Sequence, residues 1–188
     1  MRVPLAPLSV ALRTGLLATQ RTANYMHTTR MLHTEDNIKR LGITLPPPGT
    51  PKANYNIVCW ESQTLLYVSG HLPITNDGTL ITGAVGDGGL TVEQGQEAAR
   101  WCALNIIATV QDQLGGDLDR VDKIVKLFGI VSSKVTFKEQ HLVMNGCSDV
   151  MMEVFGDRGY HARSAIGTNT LPLDTAVEIE AIIKVKAN

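Results

Sequence analysis

Val177-Glu178-Ile179-Glu180-Ala181-Ile182-Ile183-Lys184-Val185-Lys186 decides the fold. Val177, Ile179, Ala181, Ile183 and Val185 alternate with Glu178, Glu180, Ile182, Lys184 and Lys186. Successive side chains on a strand point to opposite faces. Apart from Ile182, this strand therefore packs one face and leaves the other polar, so helices cover a single side. Working back toward the N-terminus, residues 143–155 read as a helix interrupted by Gly146, and residues 122–131 as a buried strand. The strongest helix is 92–114: Thr91 is a natural N-cap, and Gln94 completes a capping box. Ala99, Ala103, Ile106, Val110 and Leu114 form its stripe, widened by Cys102 and Ile107, and Gly115-Gly116 ends it. Residues 56–60 and 65–69 read as a hairpin. Residues 35–45 read as a short helix capped by Thr34 and stopped by Leu45-Pro46-Pro47-Pro48-Gly49. With a small-residue strand around Arg163, the order is strand, strand, helix, strand, helix, strand, strand. That order predicts an α+β two-layer sandwich, two main helices on one mixed sheet.

The chain has 188 residues, enough for one domain with a proper core. Hydrophobic residues are 44% and charged residues 19%, which argues against disorder. No run of 18 apolar residues exists, so no membrane span is expected. Three cysteines without CxxC spacing give neither a disulfide framework nor a cysteine zinc site. The five histidines have no ligand spacing, so no metal is expected.

Before the first acid, Glu35, stand Arg2, Arg13, Arg21 and Arg30 among serines and threonines. An arginine-rich, hydroxyl-rich, acid-free N-terminus reads as a mitochondrial targeting leader over residues 1–34, with a cytoplasmic protein carrying a plain N-terminal arm as the alternative. Residues 35–188 are then one domain. Taking those four arginines from 17 Lys and Arg leaves 13 against 18 Asp and Glu, a net of about −5. An acidic body with 5% aromatic residues argues against nucleic acid as a partner.

No Walker loop, GxSxG elbow, HExxH helix or GxGxxG turn is present. The segment His161-Ala162-Arg163-Ser164-Ala165-Ile166-Gly167 offers different chemistry. A guanidinium held by a small-residue strand is a rigid two-pronged carboxylate binder. Glu178, on the polar face of the last strand, can hold a water or trade a proton. The plainer alternatives are an ion pair of Arg163 with Glu178 or Glu180, and a solvated strand face for Glu178.

Several stretches together resemble the YjgF-type, reactive intermediate deaminase A family, also called endoribonuclease L-PSP. They are Val68-Ser69-Gly70-His71-Leu72-Pro73, Gln94 to Arg100 with Asn105, Gly115 to Val121, Asn145, Ala162-Arg163-Ser164, and Val177 to Ala181. The resemblance spans residues 53–186. Leu45-Pro46-Pro47 and Phe155 to Arg163 resemble a longer sister subfamily. The resemblance implies a chorismate-mutase-like fold and a homotrimer with three clefts between subunits. It implies Arg163 as the grip on the carboxylate of a 2-imino or 2-enamino acid, and Glu178 as the residue positioning the attacking water. Tyr55, Ser69, Gly70 and Asn145 would line the site, and no cofactor would be needed. His71 stands where glutamine is common in such proteins, and Ala165 where many have cysteine. The Asn76–Gly89 loop is glycine-rich and is expected to reshape the cleft. The activity implied is hydrolysis of these acids to 2-keto acids and ammonia. A non-catalytic carboxylate binder and a ribonuclease are the alternatives; the latter lacks a basic groove and a histidine pair.

Overall fold

The computed structural model describes residues 33–187. The expected leader lies outside the described residues except for its last two, His33 and Thr34. Five strands make one sheet: β1 (Val58–Ser62), β2 (Leu65–His71), β3 (Val121–Ser132), β4 (Ala162–Thr168) and β5 (Val177–Val185). Their order across the sheet is β1-β2-β5-β3-β4. The β3–β4 pair is parallel and the other three pairs are antiparallel, so the sheet is mixed. The segment that decided the fold is thus its middle strand.

Burial along β5 alternates as its sequence predicts. Val177, Ile179, Ala181, Ile183 and Val185 are buried, Glu180 and Lys184 are exposed, and Glu178 and Ile182 are half-buried. Helix α2 (Val92–Gln113) covers the buried face with Ala99, Cys102, Ala103, Ile106 and Val110. Fully burying an isoleucine such as Ile179 or Ile183 stabilises the fold by roughly 2 kcal/mol. The capping box forms as expected: Gln94 N–H donates to Thr91 Oγ1, and Thr91 N–H donates to Gln94 Oε1.

Two local readings are corrected. The 143–155 region is a short helix α3 (Gln140–Val143) followed by α4 (Asn145–Phe155), with the break at Met144 rather than Gly146. Gly146 lies inside α4, where an added Cβ would stand 1.9 Å from the Gln96 carbonyl oxygen. The glycine lets α4 approach the backbone of α2. The first helix, α1, runs Thr34–Arg40 and is shorter than 35–45. Its N-cap is His33, not Thr34, and the His33 side chain does not bond the helix amides. Thr34 instead is buried, with its amide and hydroxyl both donating to Asp119 Oδ1. The described body is an α+β sandwich, with its helices on one face of the sheet.

Candidate active site

Register decides where each candidate side chain points. Arg163 pairs with Leu127 of β3, which is fully buried under the helices. Paired residues in a parallel ladder share a face, so Arg163 lies on the helix side of edge strand β4. Its Nη1 donates to Ser148 Oγ at 2.9 Å. Its Nη2 donates to the His141 carbonyl and to Asn145 Oδ1, each at 2.9 Å. All three acceptors are neutral. Among the described residues Arg163 makes no ion pair, whereas Arg158 lies 3.6 Å from Asp119. The neighbouring Cys147 thiol offers no anion either: burial pushes its pKa up to about 12, against the pull of Arg163. The ion-pair alternative for Arg163 is therefore not what the fold builds. Three of the five guanidinium N–H donors are engaged and the charge is left whole.

Glu178 pairs with Ile130, which pairs with Ile166, and all three lie on the open face. Its side chain lies over Gly70, where an added Cβ would fall 1.9 Å from Oε1. Gly70 sits where the β2–β5 register shifts between Val68 and His71. No protein donor bonds the Glu178 carboxylate among the described residues. Burial, and then the like charge of Glu180, raise its pKa above the ordinary glutamate value. Half-buried and unpartnered, it is a stronger base than a solvated glutamate.

The remaining candidates fall into separate places. Tyr55 and Gly70 share a cleft of ≈ 220 Å³ roofed by Pro46–Gly49, with His71 and Asn105 at its base. Ser69 faces a shallower hollow of ≈ 290 Å³ on the open face, beside Lys126 and Glu180. Its hydroxyl donates to the Asn56 carbonyl at 2.7 Å. Asn145 joins Arg163. The fold thus brings Tyr55 and Gly70 to one cleft, sets Glu178 against Gly70, and joins Arg163 with Asn145, but it does not bring Arg163 and Glu178 together within one chain. Arg163 and Glu178 lie on opposite faces, two strands across and three register positions along. Their backbones are then roughly 14 Å apart, from strand spacing and rise.

His71 is buried on the helix side. Its Nδ1 lies 2.7 Å from the Ser69 carbonyl and its Nε2 lies 2.8 Å from Thr109 Oγ1. Thr109 Oγ1 also accepts from Gly49 N–H at 3.0 Å, which ties down the proline strap. Burial lowers the His71 pKa, with the Ser69 carbonyl opposing. Its place is in the wall of the cleft. Ala165 pairs with Gly129 on the helix side, one pleat beyond Arg163.

Sequence reasoning gave no role to Ser148, which bonds Arg163, or to His161, which bonds Ser148. The signal was there: Ser148 is three residues after Asn145 on one helix, and His161 is two residues before Arg163.

Residues 35–183 match the protein family described as "YjgF/chorismate mutase-like, putative endoribonuclease". The chain belongs to the YjgF family. A YjgF relative, protein TCP17 of Trypanosoma cruzi, is 47% identical over 150 residues, covering 79% of this chain and 91% of that protein. The crystal structure of Atu1372 from Agrobacterium tumefaciens, of unknown function, is 40% identical with a TM-score of 0.73. It covers 81% of this chain and 94% of its own. An endoribonuclease-type protein from Shewanella oneidensis is 27% identical with a TM-score of 0.76, covering 81% and 99%. YjgF membership supports a small-molecule deaminase or an endoribonuclease-type role. Among the described residues no three His, Cys, Asp or Glu side chains are grouped to hold a metal, and no helix is long and apolar enough to cross a membrane.

Proposed function

We propose that this protein hydrolyses small 2-imino and 2-enamino acids to 2-keto acids and ammonia without a cofactor. The observation that carries the reading is Arg163: a strand-borne guanidinium fixed by three neutral acceptors and left with its full charge. Such a group suits one carboxylate, bound through two donors. Glu178 supplies the second half of the chemistry. Its raised proton affinity suits a base that orients water and accepts a proton as the C–O bond forms at the C=N carbon. The imine nitrogen takes up a proton, and the tetrahedral adduct expels ammonia as the carbonyl closes. Imines hydrolyse readily, so positioning supplies much of what is needed.

Because Arg163 and Glu178 lie on opposite sheet faces, we propose that the site is completed between copies, in a homotrimer with inter-subunit clefts. The open face supports this, since Tyr67 and Ile166 are exposed there on β2 and β4. The arginine-rich, acid-free leader supports delivery to mitochondria, which a reporter fused to residues 1–34 tests by its location. The deciding assay is release of ammonia and keto acid from 2-aminoacrylate generated in situ. The wild type should accelerate it and Arg163→Ala should not; equal rates for both would end the deaminase reading. A protein that binds pyruvate through Arg163 but shows no turnover would be a carboxylate binder instead.

A further inference from the structure

Directly behind Arg163 stand two side chains that the proposed chemistry leaves unused. Ser148 is buried in the first turns of α4, and His161 sits just before β4. Ser148 Oγ accepts from Arg163 Nη1 at 2.9 Å and lies 3.0 Å from His161 Nε2. His161 Nδ1 lies 2.6 Å from the Gly159 carbonyl. A carbonyl cannot donate, so Nδ1 carries the hydrogen. A neutral imidazole has one N–H, so Nε2 is bare and accepts. The hydrogen between the two side chains is then the Ser148 hydroxyl's.

Every hydrogen in the chain is now assigned. Arg163 donates to Ser148, Ser148 donates to His161, and His161 donates to Gly159. Burial lowers the His161 pKa; the Gly159 carbonyl opposes, while Arg163 and Lys123 push it further down. A lowered pKa favours the neutral imidazole that the assignment uses. A hydroxyl that gives its own hydrogen away becomes a better acceptor for the next donor. An aspartate in place of Ser148 would also hold the guanidinium, but it would cancel the charge.

We infer that Ser148 and His161 are positioning residues for Arg163, fixing the plane of the guanidinium while leaving its charge for an anionic ligand. The inference rests on the reading of Arg163 as a carboxylate clamp, and it adds the device that sets the clamp's direction. Asn145 and the His141 carbonyl hold the other terminal nitrogen, so without Ser148 the guanidinium keeps bonds on Nη2 alone.

The test uses the full chain with pyruvate as the probe, measured by calorimetry. Ser148→Ala should weaken binding roughly 10-fold, the ordinary worth of a hydrogen bond to a charged donor. Ser148→Thr keeps the hydroxyl and should restore most of the affinity. In an Arg163→Lys background Ser148→Ala should add little, because the two act as one unit. Wild-type affinity in Ser148→Ala, or an effect that adds in full to Arg163→Lys, overturns the inference. If the wild type binds no pyruvate, the clamp reading fails, and ligand-free nitrogen NMR decides the positioning claim. Arg163 N–H signals that exchange slowly in the wild type and rapidly in Ser148→Ala uphold it; identical signals overturn it.

Discussion

Replacing Gly146 by alanine tests how the site is held together. The new Cβ would stand 1.9 Å from the Gln96 carbonyl oxygen, 2.7 Å from its carbon and 2.9 Å from its Cα. Ordinary contact begins at 3.4 Å, so α4 must retreat by something like 1.5 Å, and no side-chain rotation can absorb it. Overpacking of this kind costs about 1–3 kcal/mol, and a rigid backbone neighbour places it near the top of that range. Alanine returns about 1 kcal/mol through helix propensity. The net loss is about 2 kcal/mol, which lowers the thermal midpoint by roughly 4–8 °C in a chain of this size. Asn145 and Ser148 ride on the same helix, so pyruvate affinity should fall as well. The assays are thermal unfolding and calorimetry on one preparation. A variant as stable as the wild type, or more so, would refute the close-packing argument.

Glu178→Gln should cut imine hydrolysis ~10²–10⁴-fold while pyruvate affinity holds or rises. The wild-type rate should also fall in acid, with a midpoint above the ordinary glutamate pKa, and that limb should vanish from the residual rate of the variant. Arg163→Lys should lose most pyruvate affinity in calorimetry although the charge is kept, because an ammonium offers no parallel pair of donors. Burial tends to raise the Asp119 pKa, but the Thr34 hydroxyl and amide and His33 outweigh it and hold the group at about 2. A depressed carboxyl stabilises the fold above its unfolded pKa, and this contribution fades between about pH 4 and pH 2. Allowing for solvent screening of this part-exposed group, the loss is about 1 kcal/mol, measured by urea unfolding across that range and absent from Asp119→Asn.

The sheet was legible because β5 states its own burial: five apolar residues at period two leave one face for helices. The Thr91–Gln94 box was legible because it is local. Met144 was not, since a break between two short helices with continuous apolar periodicity has no signature in the residues. Gly146 was misread for a related reason. A mid-helix glycine signals weakness to local propensity, and only the position of α2 shows that a backbone stands there. Among the site residues, Arg163 and Glu178 were picked out by residue type and strand context alone. Their separation was hidden because it depends on pairing register, which no single strand reveals. Arg163 is the one charge on its small-residue strand and lies among helix-facing positions, whereas Glu178 is one of several polar residues on the open side of β5.

That division of faces has a genetic reading. If Arg163 and Glu178 serve one site, as proposed, a chain with its cation on one side of the sheet and its base on the other does not hold that site by itself. Where copies complete one another, a subunit damaged at Arg163 still lends a sound Glu178 to its neighbour, and the reverse is equally true. Two alleles, each silent alone, would then restore function in a mixed assembly. A single allele of either kind would disable one site for each defective subunit.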